Sequence, residues 1–425
     1  MEVKPGFKLT EVGVIPEEWE VASLGECISD LRSGVSVNSV QEAAITSFDG
    51  PTILKTSCVA RGQYVAAERK RVAAEDVSRA KLNPVRDTIL ISRMNTPELV
   101  GECGYVEETD PNVFLPDRLW MTSHRGVRVI DVRWLNCVLS SKEYRRRIKE
   151  VATGTSGSMK NISKESFLSL LVAYPLLSEQ HAIAEVITEA ENAARAIDRL
   201  IAKKRDLKQA AIQQLLTGKT RLPGFHGEWE VKRLAEFGHW RGGITPSMAE
   251  VSFWQGGDFP WASSGDVKVP QLNHTNSRIT ARAVDSGAAV VVPAGSLLVV
   301  MRSGILRKHL PVAIAGRDLA INQDIKALVP RPEYSSDFLL HLLTWNGKRI
   351  LESCMKSGTT VESIELSWLK SFTVLVPQLE EQVRISAVLS DLDAELSALE
   401  TRRDKTRALK EAMMQALLTG RTRLV

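Results

Sequence analysis

The sequence predicts an α+β protein in which a strand-rich domain followed by one long helix occurs twice. Three observations carry that prediction: an internal repeat, two long runs without glycine or proline, and short β-branched segments set between turns. The repeat is clearest where Leu215-Leu216-Thr217-Gly218-Lys219-Thr220-Arg221-Leu222 returns as Leu417-Leu418-Thr419-Gly420-Arg421-Thr422-Arg423-Leu424, 202 residues later. The same offset sets Pro175 on Pro377, Glu179-Gln180 on Glu381-Gln382, Ile183 on Ile385 and Gln213 on Gln415. Fainter echoes join Glu18-Trp19-Glu20-Val21 to Glu228-Trp229-Glu230-Val231. Pro84 and Arg93 are spaced as Pro293 and Arg302 are, which pairs the two arginines. Self-similarity at a fixed period marks a duplicated structural unit. The chain therefore divides into 1–177, 178–222, 223–377 and 378–425, with a pseudo-twofold relation between its halves.

The second and fourth pieces read as helices. No glycine or proline falls between Ser178 and Thr217, or between Gln378 and Thr419. Each run follows a proline and stops at a glycine, Gly218 or Gly420, the residue that most readily takes the left-handed conformation past a helix end. Ile183, Ile187, Ala194, Ile197 and Ile201 form an apolar stripe on the first. Ile385, Leu389, Leu392, Leu396 and Leu399 form one on the second; it lapses at Arg403 and Thr406 and resumes at Leu409, Met413 and Ala416. Steps of three and four are the heptad pattern of a coiled coil. Helices of about 40 residues run ~60 Å, too long to lie on one small domain. The alternation of domain and helix favours an intramolecular, antiparallel pair.

The first and third pieces read as mixed domains. Thr88-Ile89-Leu90-Ile91, Val290-Val291-Val292 and Leu297-Leu298-Val299-Val300 are strand-like and bounded by Gly, Pro and Asp turns. A helical stretch comes late in each copy, over 134–151 and 337–355.

Composition narrows the function. The 425 residues include 55 Lys+Arg and 51 Asp+Glu, for a net charge of +4, with 44% hydrophobic residues. This is the balance of a globular protein; neither a disordered nor a fibrous chain has it. No apolar stretch approaches the ~20 residues of a membrane span. No signal-peptide pattern opens the chain, so the expected location is cytoplasmic. Five scattered cysteines, Cys27, Cys58, Cys103, Cys137 and Cys354, form no CxxC pair and read as reduced core thiols.

Catalytic patterns fail on inspection. Thr217-Gly218-Lys219-Thr220 resembles the end of a phosphate-binding loop, but Gln213 stands where its first glycine belongs and a helix precedes it. Glu230-Val231-Lys232 has the spacing of a nuclease pair, yet its repeat copy is Glu20-Val21-Ala22. There is no HExxH, GxSxG or GxGxxG, and the histidines are scattered singly. A binding or assembly protein is the expectation. Basic clusters such as Arg69-Lys70-Arg71 and Arg145-Arg146-Arg147 lie among loops rich in Gly, Ser and Thr. Arginines and small hydroxyl residues on loops suit phosphate positioning and base-edge reading. Two alternatives stay open: a self-sufficient nuclease or methyltransferase with a disguised site, and a coiled-coil scaffold that reads no DNA.

The doubled Pro…Glu-Gln…Ile and the doubled Leu-Leu-Thr-Gly-(Lys/Arg)-Thr-Arg-Leu resemble the specificity subunits of type I restriction–modification systems. Residues 241–261, Arg-Gly-Gly-Ile-Thr-Pro-Ser through Phe-Trp-Gln-Gly-Gly-Asp-Phe-Pro-Trp, resemble a common opening of a target recognition domain. Asn322-Gln323-Asp324 resembles another recurrent element; the first domain has Arg32-Ser33-Gly34-Val35-Ser36 and Pro116-Asp117-Arg118 in the corresponding places. The resemblance implies two recognition domains, 1–177 and 223–377, each reading one half-site of an asymmetric bipartite target in double-stranded DNA. The helices, 178–222 and 378–425, would set the spacer and dock two methyltransferase subunits, with restriction subunits joining them. No cofactor is expected on this chain; S-adenosylmethionine, ATP and Mg would sit on the partners. The expected DNA contacts are Arg93, Asn95, Arg118, Thr155, Ser158 and Lys160 in the first domain. In the second they are Arg241, Thr245, Arg302, Arg307, Lys308, Asn322, Gln323, Thr359 and Thr360.

Overall fold

A computed structural model describes residues 4–40, 50–124, 128–154, 159–356 and 360–424. Two helices dominate it, Leu177–Leu215 and Leu379–Leu417, of 39 residues each. Both end before a glycine at φ 69°, Gly218 and Gly420. The chain forms two compact units, one of residues 1–198 with 402–425 and one of residues 199–401. Each unit thus owns half of each long helix, and the boundaries fall inside the helices.

In the first unit a four-stranded antiparallel sheet has the order Cys103–Val106, Thr88–Ser92, Leu119–Ser123, Asp30–Ser33. A second sheet runs Val113–Phe114, Thr52–Leu54, Arg69–Val72, Ser39–Val40, with its first pair parallel. The buried faces are what the β-branched runs demand: Ile89, Leu90 and Ile91 are fully buried, pointing to alternate faces that are both covered. Helices Val132–Ser140 and Lys142–Glu150 close one side. Asp131 and Ser141 cap them, accepting the Trp134 and Tyr144 N–H groups at 2.7 and 3.3 Å.

The second unit repeats this plan. Its main sheet carries Val312–Ala315, Leu297–Val300, Ile325–Pro330 and Gly238–Gly242 in the matching order, with Gln271–Leu272 added in parallel. The other sheet is Ser277–Ile279, Phe259–Ala262, Leu319–Ile321, Val290–Val292. One unbroken helix, Ser336–Cys354, replaces the pair in the first unit. The reason is local. Ser141 both ends one helix and caps the next, whereas the second unit's helix carries Leu342 and Leu343, each 1% exposed, through the core at this level without a break.

Within each unit the long helices run antiparallel. In the first, Lys410 pairs with Glu191 at 2.5 Å and Arg407 with Asp198 at 2.7 Å. In the second, Lys208 pairs with Asp393, Lys204 with Glu395 and Arg205 with Glu400. Residue numbers rise on one helix as they fall on the other. Of the stripe residues, Ile183, Ile187, Ile201, Ile385 and Leu389 are buried. Ile197, Leu392, Leu396 and Leu399 are half-buried. Beyond Arg403 the expected seam shifts by one residue: Leu409 is exposed and Met413 half-buried, while Met414 and Leu417 enter the first unit's core. A straight helix drifts against a strict heptad, and this end packs on a globular core as well as on its partner helix.

The repeated sequence signatures turn out to be fasteners. Arg221, just past the end of the first long helix, makes a two-pronged ion pair with Glu381 at the start of the second, both bonds 2.6 Å. Arg423 does the same with Glu179, at 2.6 and 2.8 Å, and reaches Glu18 at 3.0 Å. Glu381 and Glu179 are 1% and 5% exposed, so each needs its arginine. The adjacent glutamines tie helix to domain. Gln180 donates to Pro175 O and accepts Asp131 N–H, both at 2.9 Å. Gln382 donates to Pro377 O at 2.9 Å and accepts Ser335 N–H at 3.0 Å.

Candidate nucleic-acid interface

In the second unit, strand Gly238–Gly242 pairs with Ile325–Pro330, and the chain then turns over the sheet end. Gly243 N–H donates to Ile325 O at 3.4 Å and Ile244 N–H to Ile321 O at 3.0 Å. A Cβ on Gly243 would lie 2.0 Å from Asn322 O, so only glycine permits this approach. The tryptophans of the opening motif hold the same loop. Trp261 donates its indole N–H to Ile244 O at 3.4 Å and Trp254 to Ser247 O at 3.1 Å. Their rings meet edge to face at 5.2 Å.

Backbone links gather further residues at this end. The Thr245 hydroxyl donates to Gln323 Oε1, and Gln323 is exposed. Met301 N–H donates to Asp324 O at 2.8 Å, and Ile364 N–H to Met301 O at 2.7 Å. Arg302 consequently stands beside Ser363, exposed, with no hydrogen-bond partner among the described residues. Arg307 is exposed but paired with Glu362, whose carboxyl it holds below its ordinary range. Lys308 and Thr360 are exposed, and Arg241 is exposed with its guanidinium on Val291 O at 3.2 Å. Asn322 does not reach solvent. It is 6% exposed, accepts Asp324 N–H at 3.2 Å and donates to the Asp324 carboxylate at 3.4 Å. Its carboxamide shapes the turn that presents Gln323.

The first unit has the same end built from different residues. A Cβ on Gly34 would lie 1.6 Å from Leu115 O, as one on Gly243 would lie 2.3 Å from Ile321 O. Arg118 is exposed here. Arg93 N–H donates to Arg118 O at 3.1 Å, the bond Met301 makes to Asp324. Arg93 therefore corresponds to Met301 and Met94 to Arg302, one residue away from the pairing the proline spacing suggests. In a strand one residue reverses the side-chain direction. Arg302 points out; Arg93 is half-buried, with Nε on Asp117 O at 2.7 Å and a terminal nitrogen on Asn161 Oδ1 at 3.3 Å. Asn95 is also internal, 8% exposed, donating to Ser92 Oγ at 3.1 Å and accepting Thr96 N–H at 2.9 Å. Lys160 donates to Gly154 O at 2.8 Å. Thr155, Ser158 and Thr359 lie outside the described residues.

Two basic residues were not among the expected contacts. Arg32 is exposed on Asp30–Ser33, where Arg241 stands in the second unit. Lys326 lies beside Gly242, its Nζ 2.8 Å from a Cβ built there. The shared glycine, Gly34 or Gly243, two residues after each arginine was the available signal. Among the described residues no group of three His, Cys, Asp or Glu side chains could hold a metal ion, and no helix is long and apolar enough to cross a membrane.

Residues 226–407, which include this second face, match the family model of the type I restriction modification DNA specificity domain. The chain is also 37% identical over 167 residues to the type I restriction enzyme EcoR124I/EcoR124II specificity subunit of Escherichia coli. Over these segments it is similar to the type I specificity-subunit family. That alignment covers 39% of this chain and 41% of the relative. A second member, the MjaIX specificity subunit of Methanocaldococcus jannaschii, is 30% identical over 39% of this chain and 38% of its own. The chain thus matches about two fifths of the length of these curated members. The fold extends the likeness to nearly all of it. The solved S subunit of a type I restriction–modification system from M. genitalium superposes with a TM-score of 0.60 at 16% identity, covering 97% of this chain and 98% of that one.

Proposed function

We propose that this chain is the DNA-reading subunit of a type I restriction–modification complex, cytoplasmic and without chemistry of its own. Each unit reads one half-site of double-stranded DNA, and because their reading faces differ the target is asymmetric. The observation that carries this reading is the built sheet end of the second unit. Arg302 and Lys308 offer charge to phosphate, and Gln323 is held by Thr245 toward solvent. This end belongs to the segment that matches the specificity domain. The long helices fix the spacer and dock two methyltransferase subunits, to which restriction subunits add. S-adenosylmethionine, ATP and Mg belong to those partners. They also supply much of the phosphate neutralisation, which suits a reader of net charge only +4.

Methylome sequencing of cells with and without the gene tests this. Loss of one bipartite N6-methyladenine motif is expected; an unchanged methylome excludes the reading. Removing one heptad from each long helix should shorten the spacer and leave both half-sites alone.

A further inference from the structure

The backbone register makes Asp117 the counterpart of Gln323. Leu119 N–H donates to Pro116 O at 3.4 Å as Ile325 N–H does to Asn322 O at 3.2 Å. Ser92 faces Leu119 as Val300 faces Ile325. Asp117 and Gln323 then occupy the same place in the turn, next to the glycine that lies against it. Their chemistry is opposed. Gln323 has its Oε1 engaged by the Thr245 hydroxyl, which leaves the amide N–H groups to face outward. Asp117 is half-buried, its carbonyl is held by Arg93 Nε, and its carboxylate has no hydrogen-bond or ion-pair partner among the described residues.

A carboxylate facing DNA is repelled by phosphate and offers only acceptors. It gains where a base edge presents a donor, cytosine N4 or adenine N6. The free amide N–H of Gln323 suits the reverse: purine N7, guanine O6 or thymine O4. We propose that Asp117 and Gln323 are equivalent base-reading positions, one requiring a hydrogen-bond donor on the base and the other an acceptor. This rests on the proposed DNA reading of the two sheet ends. It makes the target asymmetric at matched positions of the two half-sites, through residues that differ by a carboxylate and a carboxamide.

The full-length wild-type chain, D117N, D117E and Q323E are each expressed in cells of the native system deleted for this gene. Methylated motifs are then read, and the chains' abundance and melting temperature compared. D117N and Q323E are expected to shift base preference about tenfold or more, each at one position and in different half-sites. D117E should retain the wild-type base. Motifs unchanged in D117N and Q323E overturn the proposal, as does a uniform loss of methylation without altered preference in chains that melt like wild type. If D117N fails to fold, Q323E alone decides, because Gln323 is exposed and only its amide is replaced. The deleted cells separate the two levels. A methylome that does not change on deletion sinks the DNA reading itself. A motif that vanishes on deletion yet survives both substitutions sinks only this assignment.

Discussion

The two units share a sheet order, a glycine pressed against a turn and a clamped helix end, but they spend their arginines differently. Arg93 in the first unit turns inward and braces the Asp117 carbonyl and the Asn161 side chain. Arg302 in the second, one step further along the equivalent strand, points into solvent. A duplicated backbone therefore fixes where the proposed reading face lies without fixing which residue type occupies it. What is kept between the units is the apparatus that holds the loop; what differs is the set of groups the loop presents.

The largest test of this division strikes the kept part. Removing one partner of a buried ion pair costs about 3–5 kcal/mol, because the other charge is left uncompensated. Arg221→Ala should lower the stability of the second unit by that order through Glu381, and Arg423→Ala that of the first through Glu179. Denaturant unfolding with a probe in each unit measures both. Equal loss in both units from either variant would contradict unit-specific fastening.

A smaller effect separates the two arginines of the proposed reading faces. Arg302→Ala should weaken DNA binding by the assembled complex and reduce its salt slope by about 1, as loss of one phosphate contact does. Arg93→Ala should instead lower the melting temperature and leave the slope unchanged. If the two variants behave alike, the one-residue difference in register does not separate their roles.

The smallest expected effect concerns pH. His124 in the first unit is enclosed by the Cys27 carbonyl at 2.8 Å and the Thr122 hydroxyl at 2.9 Å. Burial pushes its pKa below the ordinary 6.5. A group depressed on folding adds stability that is complete above its unfolded value and is lost as pH falls below it. The first unit should therefore loosen below pH 6.5, and His124→Gln should flatten that limb of a melting-temperature profile; a profile unchanged by the substitution would refute it.

Much of the fold was legible because long-range order left short-range marks. Two runs without glycine or proline became the 39-residue helices, and the alternation of domain and helix pointed to the antiparallel sense that their ion pairs display. The signatures at Glu179, Glu381, Arg221 and Arg423 were visible, but their pairing was not, since each partner lies about 160–245 residues away in sequence. The candidate site was legible in outline only. Gln323, Arg302 and Arg118 emerged exposed, whereas Asn95 and Asn322 spend their carboxamides on their own turns. Composition cannot tell an asparagine that builds a turn from one that reads through it. Nor can spacing from a proline resolve a strand to one residue, which is all that distinguishes Arg93 from Arg302.

The interleaving of the units also orders their birth on the ribosome. Residues 199–401 are contiguous and can close as soon as they emerge. The first unit must wait, because Met414 and Leu417 complete its core and Arg423 neutralises Glu179. Its early residues, among them Glu18, find their partner only once Arg423 has been made. Domains usually fold as units, the N-terminal one first; here the later-made unit is expected to close first. A chain stopped near residue 400 would hold one finished unit and one with an open apolar core, the kind of intermediate that chaperones and proteases find.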